Sequence, residues 1–230
     1  MAKKNLRQER ERQRQEENRR FILKAAEKIF VKKGYRLATV DDIADEAQFS
    51  KATLYRYFKS KSDIVFDIIY SSFEETYAGM KKIQMEPADA EEKLKKMIGF
   101  IISFYHKKKN LSRMIFMEKT LLKKLMKKNA GLQGTHPDFH PKIAPKLESK
   151  MKKISDIMCE IIGEGVESGE FRDLDVRDAR IVLSALIRGF YLRGPLPEKP
   201  YTIRETTDLL HAFFLNGIKR HDKAQKGDRI

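Results

Sequence analysis

The sequence predicts an all-α fold, and three observations carry that expectation. Apolar residues recur at three- and four-residue spacing through most of the chain. Serine and threonine repeatedly stand just before such stretches, where a helix takes its N-terminal cap. No convincing strand alternation and no repeat of 20–50 residues interrupts the pattern.

Residues 1–18 are rich in Gln, Glu, Arg and Lys and almost devoid of apolar side chains. They read as a disordered arm or as a solvated extension of the first helix, either touching DNA or serving only as a solubilising tail. From Phe21 the pattern changes. Phe21, Ile22, Ala25, Ala26, Ile29 and Phe30 follow helical spacing, and Gly34 ends that helix where a left-handed backbone is wanted.

Thr39 then caps a second helix, with Asp42 at the position of a capping-box acid and Ile43, Ala44 and Ala47 on its buried face. Ser50 caps a third, whose Leu54 and Phe58 point inward. Ser60 caps a fourth, with Asp63 three residues on, and Ile64, Val65, Ile68, Ile69 and Phe73 carry it to about Met80. Two short helices joined by a tight turn, the second bearing Lys51, Thr53, Tyr55, Arg56 and Tyr57, have the layout of a helix-turn-helix.

Beyond Pro87 long amphipathic helices follow one another. Leu94 to Tyr105 predicts one and Leu111 to Leu125 a second; a loop containing Gly, Pro and His spans roughly 129–142. Ile143 to Val166 gives a long helix that stops near Gly169, and 176–193 and 203–220 give the last two.

Spacing and residue type together resemble the TetR family of bacterial transcriptional regulators. The resemblance rests on Ala25-Ala26, Phe30, Gly34-Tyr35, Thr39-Val40, Ile43-Ala44, Ala47, and Ser50-Lys51-x-Thr53-Leu54-Tyr55-x-Tyr57-Phe58-Lys59-Ser60-Lys61. It is specific over residues 20–70 and otherwise one of layout. Two positions depart from the family pattern: Gln48 stands in the turn where glycine is usual, and Ala52 where glycine is frequent. A left-handed Gln48 costs roughly 1 kcal/mol relative to glycine, which a folded domain tolerates.

The implied organisation is a basic arm (1–18), a helix-turn-helix domain (19–65), a helical effector-binding and dimerisation domain (66–222) and a C-terminal tail (223–230). DNA-binding candidates are Thr39, Val40, Ser50, Lys51, Ala52, Thr53, Tyr55, Arg56, Tyr57 and Lys61. Lys51 suits guanine O6/N7, and Ala52 with the Thr53 methyl suits a thymine methyl. Arg56, one turn beyond Ala52, suits a base or a phosphate. The two tyrosines of Tyr-x-Tyr sit about 200° apart on a helix, so both cannot enter the core. By the resemblance Tyr55, Tyr57 and Lys61 hold the DNA backbone, and Thr39 and Lys61 also stand where helix N-termini attract phosphate.

The resemblance further implies a homodimer on a pseudo-palindromic operator, with an apolar or amphipathic effector that tilts the fourth helix. For the dimer interface the candidates are Val182, Ala185, Leu186 and Gly189 with Leu210, Phe213, Phe214 and Gly217. For the effector pocket they are Phe100, Phe104, Met114, Met117, Leu121, Met158 and Phe190, although each taken singly suits an ordinary core better. Lysine clusters at 107–109, 123–128 and 146–153 either form a solvated face or attract an amphipathic anion such as an acyl-coenzyme A.

Composition bounds the alternatives. The formal net charge of the 230 residues is +15, which favours a polyanionic partner. Residues 1–60 contribute +7, from 16 Lys and Arg against 9 Asp and Glu, so charge density there is more than twice that of the remainder. The single cysteine, Cys159, fits a reducing cytosol, and no apolar run approaches a membrane span; a cytoplasmic protein is expected. His136, Asp138 and His140 stand among prolines that spoil a helical metal-ligand spacing. No metal site, cofactor motif or catalytic constellation is read. The competing reading is a basic architectural protein that binds DNA by charge alone.

Overall fold

A computed structural model describes residues 2–109, 143–192 and 201–219, and these form eight α-helices: α1 (Ala2–Leu37), α2 (Val40–Ala47), α3 (Lys51–Tyr57), α4 (Lys61–Gln84), α5 (Ala90–Lys107), α6 (Ile143–Glu167), α7 (Val176–Leu192) and α8 (Ile203–Ile218). The only extended pairing among them is an isolated antiparallel bridge between Phe171 and Lys219. The expected helix over 111–125 and the loop with His136 and His140 lie outside the described residues, as do Met114, Met117 and Leu121.

The described residues divide into two compact units. The first holds 2–73 with 143–148, and the second holds 74–109, 149–192 and 201–219. Residues of α4 and of α6 therefore belong to both.

In the first unit α1 packs on α2, and α2 on α3. Its core joins Ile22, Ala26, Ile29 and Phe30 of α1 to Ile43 and Ala44 of α2, Leu54 of α3, Phe58, and Ile64, Val65, Ile68 and Ile69 of α4. Each such side chain contributes at most about 1.5–3 kcal/mol by leaving water. The sequence reading of α1 holds at Gly34 with one difference. Its φ is 75°, as a chain reversal requires, but ψ is 159° rather than left-handed helical. That region of backbone space is essentially reserved for glycine, and one further helical turn follows before the chain enters α2. The segment before Phe21 is helical, with residues 6–17 exposed throughout.

The second unit packs α8 on α5 and α7, and α5 on α7. Leu94, Met97 and Ile98 meet Ile161, Ile162, Leu183, Ile187, Leu210 and Phe214 in its core. Two glycines make room for rings: the Phe100 ring lies on Gly79 and the Phe171 ring on Gly165, where a Cβ would collide with each. Glu170 accepts hydrogen bonds from the Ala90 and Glu91 amides at the start of α5, and Thr202 with Glu205 makes a capping box on α8. Two mostly buried lysines are paired, Lys93 with Glu164 and Lys150 with Glu74, each at 2.7 Å. His211 is buried in α8 with no partner for Nε2 among the described residues, and burial pushes its pKa down.

Candidate nucleic-acid interface

Three caps position the helix-turn-helix. The Thr39 hydroxyl accepts the Asp42 amide at 3.1 Å and the Asp42 carboxylate accepts the Thr39 amide at 3.0 Å, closing the capping box. Lys33 donates to the same carboxylate at 2.6 Å. That bond, with the Thr39 amide behind it, holds the Asp42 pKa down to about 2. The box therefore keeps its charged form through mildly acid pH. Its contribution is complete above the ordinary carboxylate range and is lost as pH falls through about 2. Ser50 accepts the Thr53 amide at 3.1 Å, and Ser60 accepts the Asp63 amide at 3.2 Å.

Between α2 and α3 the chain turns at Gln48, whose φ of 56° and ψ of 38° are left-handed. Its amide and that of Phe49 donate to Asp45 O and Ala44 O, satisfying the last carbonyls of α2. The strain expected of a non-glycine residue in this turn is present, and the turn keeps its geometry.

With Leu54 and Phe58 buried beneath it, α3 turns Lys51, Ala52, Tyr55 and Arg56 outward, and Thr53 is half-buried beside them. The Ser50 and Thr53 hydroxyls share a hydrogen bond of 2.9 Å. Lys51 is held by Asp41 of α2, its ammonium lying 2.7 and 3.0 Å from the two carboxylate oxygens. This partner raises the lysine pKa, so the side chain is fully charged at neutral pH. The Arg56 guanidinium lies over the Tyr57 ring at 5.3 Å.

Tyr55 and Tyr57 separate as their spacing requires: Tyr55 is exposed and Tyr57 half-buried. Sequence reasoning missed what braces Tyr57. Asn18 donates to its hydroxyl at 3.0 Å and Arg19 to its carbonyl at 3.3 Å, while Arg19 also pairs with Asp67 and lies 4.5 Å from the Phe58 ring centre. Burial raises the Asp67 pKa in spite of that arginine. These contacts are about forty residues apart in sequence, and no local pattern announces them.

Lys61 is engaged differently from its sequence reading. Its ammonium donates to the carbonyls of Tyr35, Ala38 and Arg36 at 2.7, 2.8 and 3.3 Å, and lies 4.6 Å from the Tyr35 ring centre. It closes the end of α1 against α4. Thr39 is exposed and Val40 half-buried at the start of α2.

Of the other candidate residues, Val182, Ala185, Leu186, Gly189, Phe213 and Gly217 are exposed, whereas Leu210 and Phe214 are buried in the core of the second unit. Met158 is buried in that core, and Phe100 and Phe190 pack at its edge. Phe104 lies 6.4 Å from Phe100, centre to centre.

Comparison with known proteins follows the same lines. The family described as "Bacterial regulatory proteins, tetR family" matches residues 22–68. The "Fatty acid metabolism regulator protein" of Bacillus subtilis strain 168 is 26% identical over 203 residues, covering 88% of this chain and 95% of that protein. Among solved structures, the transcriptional regulator FadR from Bacillus subtilis, in complex with stearoyl-CoA, superposes with a TM-score of 0.68 at 25% identity, over 86% of this chain and 98% of the other. The TetR-family regulator PfmR from Thermus thermophilus has the same fold, with a TM-score of 0.68 at 24% identity over 86% and 99% of the two chains.

Proposed function

We propose that this chain, which belongs to the TetR family of bacterial regulatory proteins and is a DNA-binding transcriptional regulator, works as a homodimeric repressor released from its operator by a fatty acyl thioester. The observation that carries the DNA-binding part is the capped α3, anchored by Leu54 and Phe58 and offering Lys51, Ala52, Thr53, Tyr55 and Arg56 from its outer face. Lys51, Ala52 and Thr53 occupy the end that leads into the major groove in helix-turn-helix proteins. In this reading they contact base edges. Tyr55 and Tyr57 hold backbone phosphates, and the Thr39 hydroxyl with the Val40 amide at the start of α2 meets another.

The dimer is supported by the exposed apolar face of α7, with Val182 at 52% and Leu186 at 37% exposure, beside Phe213 of α8 at 71%. The effector class is supported by similarity to a fatty acid metabolism regulator over most of the chain and by the stearoyl-CoA bound to the FadR relative. Phe100, Phe104, Met158 and Phe190 are the described residues proposed to receive an acyl chain, and α4, whose residues are divided between the two units, is the proposed route to the DNA.

Genomic fragments selected by the purified protein would identify the operator, and binding isotherms on operator and random duplexes then test the reading. Operator affinity at least about a thousandfold higher is expected, with release by stearoyl-CoA and not by coenzyme A alone. Coincident isotherms would leave only a charge-driven DNA binder. Retention of the operator in saturating stearoyl-CoA would remove that effector.

A further inference from the structure

We infer that the N-terminal part of α1 is a second DNA-contacting element, a basic helix that lies along backbone phosphates flanking the half-site read by α3. The inference rests on the DNA-binding reading above and adds a surface to it.

The helix of α1 begins at Ala2, some five turns before Ile22, the first buried residue of the core. A polar segment of this length is only marginally helical alone in water. Here it continues a helix already nucleated by packing, with Arg12 paired to Glu16 and Arg14 to Glu11. Helical spacing brings Arg7, Arg10 and Arg14 within an arc of about 60°. Glu9 and Glu16 fall on the far side, and Glu11 and Glu17 flank the stripe. All three arginines are exposed. The Arg14–Glu11 pair leaves both side chains half or more exposed, and such pairs contribute little, so a phosphate can displace the carboxylate.

The base of the arm fixes where the stripe starts. Asn18 donates to the Tyr57 hydroxyl, leaving the phenolic proton for an acceptor, and Tyr57 is a proposed phosphate contact. From Asn18 back to Arg7 a helix rises about 16 Å, roughly half of a 34 Å DNA turn. The arginines are thus spaced to follow the backbone outward from the point where Tyr57 meets it.

The test uses the full-length protein with Arg7, Arg10 and Arg14 all changed to Gln, which preserves helix propensity, and a second variant with all three changed to Lys. Affinities for an operator duplex with ten flanking base pairs on each side, and for a random duplex, are measured from 50 to 200 mM salt. The expected result is a slope of log K against log salt shallower by about 5 in the glutamine variant, three arginines on each of two copies at about 0.9 per phosphate. Loss should be equal on both duplexes, and the slope should return in the lysine variant. Trimming the flanks should bring the wild-type slope down to that of the glutamine variant. An unchanged slope in the glutamine variant overturns the arm while leaving the operator preference of the wild type intact. Loss of that preference alone, with the slope difference kept, instead strikes the reading of α3.

Discussion

Lys51 is proposed to enter the groove, and its ammonium already has a partner. Asp41 holds its ammonium in the first turn of α2, so DNA must exchange one anionic partner for another. Asp41 is itself 59% exposed at its side chain and would face phosphates with its own charge. The pair therefore weakens binding to every DNA sequence, a loss offset only where Lys51 finds a good acceptor on a base. Asp41→Asn should strengthen binding to random duplexes by up to about fivefold for each copy bound, the worth of an exposed ion pair, and gain less on the operator. A ratio of operator to random affinity that stays level or rises would show that Asp41 does not favour the operator. Lys61 makes the complementary point. With its ammonium on three carbonyls at the end of α1, its substitution by Ala reports first on the stability of the first unit.

At the scale of elements, helix boundaries are set by short-range chemistry and inter-helix fit by long-range contact. Gly79 of α4 carries the Phe100 ring of α5 on its bare backbone, and a Cβ there would meet three ring carbons. Gly163 of α6 has nothing within 4 Å of the same position. Both changes to Ala gain up to about 1 kcal/mol of helix propensity, but at Gly79 overpacking costs about 1–3 kcal/mol. Gly79→Ala should lower the urea midpoint and Gly163→Ala should raise it, each with an unchanged denaturant slope. Equal midpoints for the two variants would mean that the ring moves aside at no cost. The same division explains what was legible in the sequence. Thr39, Ser50, Ser60 and the left-handed Gln48 were readable because each cap acts within four residues. The brace from Asn18 and Arg19 to Tyr57, the inward turn of Lys61 and the niche at Gly79 were not, because their partners lie 21 to 39 residues away. The sequence reading also put Leu210, Phe213, Phe214 and Gly217 of α8 together in one dimer interface, because spacing alone does not tell which of them serve the chain's own core. Leu210 and Phe214 are buried there, while Phe213 faces solvent.

For the whole molecule, the decisive quantity is whether two reading heads act together. One short recognition helix contacts few base pairs, so the proposed operator affinity depends on linking two copies. Ile181, Val182 and Leu186 of α7 and Phe213 of α8 remain 37–71% exposed, with Gly189 and Gly217 open beside them; this is the face proposed to join the two copies. Because these side chains are outside the core, Leu186→Glu with Phe213→Glu should leave helical content and unfolding midpoint nearly unchanged. The same protein should sediment as a monomer and bind the operator at least about a hundredfold more weakly, while its affinity for a single half-site stays near the wild-type value. Leu210→Ala serves as the contrast: a buried leucine truncation costs about 2–5 kcal/mol in fold stability, so its loss of DNA binding should track unfolding. If the double glutamate variant sediments as a dimer, the contact between copies lies elsewhere and this face of α7 and α8 must be assigned another partner.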